Sequence, residues 1–186
     1  MANHPKCRCT IRATRDAAGA ASWIGHALLK KVRARHYFSQ RKTHPERAFA
    51  AGCERFGFRL VHFSVQGNHI HMIVEAPDAE ALARAMKGIE VRMARALNKV
   101  MDRSGPVFAD RYHAHLLTSP REAANAVRYV LENWIVHAMR NADPAPSGVD
   151  PFCSAAVREC GPPLVAQPRW WLLCVGIRKR IERLAA

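Results

Sequence analysis

The chain has 186 residues and is 49% hydrophobic, which suits one globular domain with a real core. Lys and Arg number 29 against 15 Asp and Glu, a net charge of +14 that favours a polyanion partner, nucleic acid first. No run of about 18 apolar residues occurs, no apolar signal core follows Met1, and the six cysteines form no C-x-x-C pair. A cytoplasmic protein with reduced thiols and no membrane segment is expected.

In chain order, CRCTIRAT at 7–14 alternates like a first strand, and 15–22 is small and loop-like. From Trp23 to Gly52 the Ala-, Arg- and Lys-rich pattern predicts helix, interrupted near Thr43-His44-Pro45. Residues 58–76, FRLVHFSVQGNHIHMIVEA, are two apolar runs about Gln66-Gly67-Asn68, the pattern of a β-hairpin. In its second strand His69, His71 and Ile73 share one face, and Ile70, Met72 and Val74 share the other. Two imidazoles side by side can clamp a metal. The same spacing also describes the polar side of a half-buried sheet.

Asp78 can cap the helix predicted over 79–101, where Leu82, Met86, Ile89, Met93, Leu97 and Val100 form one apolar stripe. Ser104-Gly105-Pro106 ends it, and 107–118 suits a strand. Ser119, Pro120 and Glu122 then make a capping-box start for a helix over about 121–138. On its wheel Ala123, Val127, Val130, Leu131, Trp134 and Ala138 form the expected core face. Tyr129 lies well outside that face, together with Glu122, Asn125, Asn133 and His137. Residues 141–168 hold six prolines and read as an irregular tail, closed by a basic apolar helix. The expected organisation is a domain over 1–140 and a tail over 141–186.

Tyr129 and Asn133, four apart, are neighbours on that helix. Brought near His69 and His71, they would supply a nucleophile and a third, oxygen ligand for a divalent ion with open positions. Taken singly, Tyr129 reads as a marginal aromatic and Asn133 as a solvated polar residue.

Three segments together resemble a known family. Gln66-Gly67-Asn68-His69-Ile70-His71 resembles the (P/G)-N-H-U-H strand of the HUH single-strand DNA transposases. Gly105-Pro106-Val107-Phe108-Ala109-Asp110-Arg111-Tyr112 resembles their G-x-(W/F)-x-x-R-(F/Y) segment, and Tyr129-Val130-Leu131-Glu132-Asn133 their Y-(I/V)-x-x-N helix. Order and spacing are similar to the REP-associated tyrosine transposases, which use one catalytic tyrosine. The resemblance implies an α+β, ferredoxin-like sandwich, with an antiparallel sheet carrying the H-x-H motif and helices on the other face. It implies His69, His71 and Asn133 as ligands of Mg²⁺ or Mn²⁺ and Tyr129 as the nucleophile. The implied reaction cuts single-stranded DNA near hairpin-forming repeats, through a 5′-phosphotyrosine. A monomer and a homodimer both fit, the latter with a site shared between chains. Where family helices often read Y-I-E-L-N-P, Glu132 is displaced by one place and Trp134 stands at the proline.

Arg111, Tyr112, His113 and His115 are candidate DNA contacts, as are Arg178, Lys179 and Arg180 near the end. Each also has a structural reading, as a surface ion pair, a sheet position or a solvated basic terminus. Two other functions remain open on sequence: a non-catalytic, repurposed nucleic-acid binder, and a metal hydrolase with water as nucleophile. Neither would form a protein–DNA adduct.

Overall fold

A computed structural model describes residues 21–28, 47–140, 148–156 and 163–178. The strand expected at 7–14, the helical stretch at 29–46, and Lys179 and Arg180 lie outside the described residues. Five strands form one sheet: β1 (Ala21–Leu28), β2 (Glu54–Arg55), β3 (Phe58–Val65), β4 (His69–Ala76) and β5 (His113–Leu117), in the order β2-β3-β4-β1-β5. Three helices accompany them: α1 (Arg47–Ala50), α2 (Ala79–Val100) and α3 (Pro120–Arg140). A π-helical segment, Leu172–Gly176, lies near the end.

The hairpin is where the alternation places it. β3 and β4 pair antiparallel, with Leu60 opposite Val74 and Ser64 opposite His71, and one irregularity between Leu60 and His62. The Gln66 N–H donates to the His69 carbonyl at 2.8 Å, which closes the loop through Gly67-Asn68. That closure fixes the register, so both histidines stay on one face.

The expectation of helix from Trp23 is corrected, as is that of loop up to residue 22. Residues 21–28 form β1, paired with β4 from Ala21↔Ala76 to Leu28↔His69, and with β5 from Ser22↔Leu117 to His26↔His113. Both edges of β1 are therefore hydrogen-bonded. This non-local pairing overrides the helical preference of the Ala and Leu in its sequence. The strand expected over 107–118 is also shorter, beginning only at His113.

Two apolar layers flank the sheet. On one face Phe63, Ile70, Met72 and Val74 meet Leu82, Met86, Ile89, Met93 and Leu97 of α2. On the other, Val61, Ile73 and Leu117 meet Ala123, Ala126 and Val130 of α3, together with Leu173. So α2 covers the face opposite the histidines, and α3 lies on the histidine face itself. Asp78 caps α2 by accepting from the Ala81 N–H at 2.6 Å, as its position predicts.

Phe63 stacks on Phe49 of α1 with ring centroids 4.2 Å apart, and both are fully buried. Phe63→Ala is expected to cost about 3–5 kcal/mol through lost burial and the cavity left behind. A lowered urea midpoint with unchanged slope would show it.

The described parts of the Pro-rich tail pack along β3 and β4. The Val65 N–H donates to Phe152 O, the Ser154 N–H to Phe63 O, and the Ala166 N–H to Leu60 O. Buried Glu75 accepts from the Arg169 and Trp170 N–H groups at 2.9 and 3.0 Å, with the Arg59 guanidinium 3.8 Å away. Burial pushes its carboxyl up, while those N–H donors and the nearby arginines oppose the shift.

Candidate active site

β4 presents His69 and His71 two residues apart, with ring centroids 4.6 Å apart and nearly perpendicular. Asn68 Oδ1 lies 2.9 Å from His69 Nδ1. With the amide oxygen turned to the ring, Nδ1 is the donor and Nε2 is left as the acceptor nitrogen. His71 is deeper, and its ring lies 5.0 Å from that of Tyr129, edge to face.

Tyr129 reaches this place because α3 folds back over the histidine face within the same chain. The residue is 47% exposed, so its ring packs on His71 while the side chain still meets solvent. This combination suits a nucleophile, which needs both a fixed position and access for a polymeric substrate.

The buried stripe of α3 differs from the expected one. Ala123, Ala126, Val130 and Asn133 face the sheet; Val127 is at the margin, and Leu131 and Trp134 are only partly buried. Asn133, expected on the solvent side with Tyr129, is 3% exposed, and its Nδ2 has no hydrogen-bond partner. A purely apolar wheel cannot identify a face that includes a buried amide. The Ala residues there allow a close helix–sheet approach.

Among the described residues no group of three or more His, Cys, Asp or Glu could hold a metal ion. What the site offers is two imidazoles and, on α3, a buried amide with an unsatisfied polar end. The N and O of an amide are interchangeable by a half-turn, so a ligand oxygen can take the unsatisfied position. Two nitrogens and an amide oxygen fit a divalent cation that keeps positions open for phosphate oxygens.

The start of α3 is held by polar groups. The Glu122 N–H donates to Ser119 Oγ at 3.2 Å. The Glu122 carboxylate accepts from the Thr118 N–H at 2.7 Å, from the Thr118 hydroxyl and from His115 Nε2. The Thr118 N–H, then His115, then the Thr118 hydroxyl hold this carboxyl down at about 2. Its folded value lies below its unfolded one, near ~4.3. Its stabilisation is therefore complete above that value and is lost as pH falls toward about 2. Glu122→Gln should flatten the acid limb of the stability curve over this window, as followed by helical circular dichroism.

The other candidate contacts are dispersed. His113 and His115 are exposed on β5, with His115 engaged by Glu122. Tyr112 is half-buried against the α2-side core, and burial raises its phenol. Arg111 is exposed, and its charge faces Glu90, whose carboxyl burial lifts to about 6. Arg178 is exposed beyond the π-helical segment. Sequence reasoning gave no separate role to the Asn68 contact, although the residue stood inside the motif. It gave none to the Glu75 clamp, which joins residues 94 apart.

The sequence description "Transposase IS200 like" matches residues 24–133, more than half the chain, from within β1 to Asn133. The chain belongs to the IS200-like transposase family. Among solved structures it is similar to the REP-associated tyrosine transposase bound to a REP hairpin, at 14% identity and a TM-score of 0.52, over 67% of this chain and 72% of that one. That likeness establishes the shared α+β fold. A candidate transposase from Deinococcus radiodurans aligns at 12% identity and a TM-score of 0.42, over 73% of this chain and 100% of that one. A bacterial tRNA(His) guanylyltransferase-like protein in complex with GTP aligns at 11% identity and 0.41, over 70% and 72%. No curated protein matches the chain in sequence. No described helix is long and apolar enough to cross a membrane.

Proposed function

We propose that the protein cleaves and rejoins single-stranded DNA by nucleophilic attack of Tyr129. The observation that carries this reading is the packing of Tyr129 on His71, beside His69, within one chain. Tyr129 Oη attacks the scissile phosphorus. The Oη–P bond forms and the P–O3′ bond breaks, leaving a 5′-phosphotyrosine and a free 3′-OH, while the phenolic proton passes to water or base. Attack by a 3′-OH reverses the step, and the phosphodiester energy is kept in the covalent bond. His69 and His71, with Asn133, would hold a Mg²⁺ or Mn²⁺ ion, which would supply charge stabilisation at the phosphate oxygens. Asn68 fixes the His69 ring so that Nε2 faces a ligand role. Hairpin-forming DNA is the proposed target class, since the structurally similar REP-associated transposase was solved on a REP hairpin.

The test uses end-labelled single strands from the regions flanking the gene, with Mn²⁺. A 3′-label should stay with the protein on a denaturing gel, and a 5′-label should leave on a shorter strand ending in 3′-OH. Both should require the metal. Binding without an adduct on every flanking sequence would instead leave a repurposed DNA-binding protein. Turnover without an adduct would mean water is the nucleophile.

A further inference from the structure

On the α2 side of the sheet, a groove of about 190 Å³ lies between α2 and the β2–β3 turn. Its floor includes the small residues Ala85 and Gly88, and Arg55, Arg84 and Arg92 line its sides. At one end stands Phe56, 84% exposed, with the Arg55 guanidinium 5.3 Å from its ring centroid. Phe56 and Gly57 form the two-residue turn that joins Arg55 to Phe58, at φ 51° and 84°. Positive φ at both positions favours Asn, Asp or Gly. A bulky apolar residue there gains nothing from burial and is disfavoured by its backbone, so folding does not account for it.

We propose that this groove is a second DNA contact, which stacks an unpaired base on Phe56 and holds the flanking phosphates with Arg55, Arg84 and Arg92. The charge complementarity is direct. Among the described residues no acidic side chain lines the groove, and Arg84 is paired with Glu80 on its outer side. Arginine and an aromatic face are the pair that grips single strands without reading sequence. Gly88 lets the Arg92 guanidinium lie close against α2, because a Cβ there would come within 3.0 Å of Arg92 Nη1 and push it aside. The choice of DNA over another polyanion rests on the proposed function, but the groove needs neither Tyr129 nor a metal.

The experiment is fluorescence anisotropy of the full chain with a labelled single-stranded oligonucleotide in EDTA, with photocross-linking through 5-iodouracil. Phe56→Asn should weaken binding by about 5- to 150-fold, the range for one lost base stack, while melting no lower than wild type because Asn accepts positive φ. Gly88→Ala should also weaken binding, while alanine favours the helix. Cross-links should map to Phe56. Wild-type affinity in Phe56→Asn and in the Arg84→Ala/Arg92→Ala double variant would overturn the groove and leave the Tyr129 chemistry standing. Equal competition by polyglutamate would overturn the base-stacking claim. Failure of the wild type to bind any strand would overturn both the groove and the proposed DNA reaction.

Discussion

Tyr129→Phe is expected to abolish the covalent protein–DNA product, a loss of at least about 10³-fold if the nucleophile is removed outright. The change deletes one oxygen and leaves the ring on His71. Because Tyr129 is half exposed on a helix face outside the buried stripe, stability should move by no more than about 0.5 kcal/mol. DNA affinity in EDTA should be unchanged, since the phenyl ring and every basic residue remain. This pattern, with folding and binding kept and the adduct lost, distinguishes a nucleophile from an aromatic that merely seals the α3–sheet margin. An adduct that survives Tyr129→Phe would refute the assignment and direct attention to Tyr112. The half-buried position of Tyr112 on the α2 side makes that outcome unexpected.

The contrast between what sequence showed and what it hid follows from the range of the interactions. The hairpin was legible because period-two alternation and its Gly-Asn break are local, and the break alone sets which face His69 and His71 share. The starts of α2 and α3 were legible because Asp78 and Ser119 cap through bonds to residues three positions away. β1 was missed because its conformation is decided by strands from elsewhere in the chain, β4 on one side and β5 on the other. The same applies to Asn133. Its burial depends on α3 lying on the polar face of the sheet, so an apolar wheel misplaced it by about one helix side. Phe56 went unnoticed because a bulky residue at positive φ contradicts every local rule for turns. A sequence reading cannot separate such an exception from an ordinary hydrophobe awaiting burial.

The second large effect concerns the histidine pair. His69→Ala should weaken Mn²⁺ binding, measured by calorimetry on protein without DNA, by at least about 100-fold, because even groups that only orient a ligand are worth ~10–100-fold. Adduct formation should fall with it, and excess Mn²⁺ should restore part of it if the ligand loss is the sole lesion. Asn68→Ala tests the orienting role. It removes the oxygen that holds the His69 Nδ1 proton, and should cost ~10–100-fold in affinity without removing a ligand. Asn133→Ala then separates two arrangements. A loss comparable to that of His69→Ala would make its amide a ligand. Unchanged affinity with a slower adduct step would make it a positioning residue for Tyr129, one helical turn away. Binding should weaken on acidification in every variant, because an imidazole must be neutral to ligate. If His69→Ala and Asn68→Ala both bind Mn²⁺ as the wild type does, the metal lies elsewhere. The paired rings would then act on the phosphate as hydrogen-bond donors and not as metal ligands.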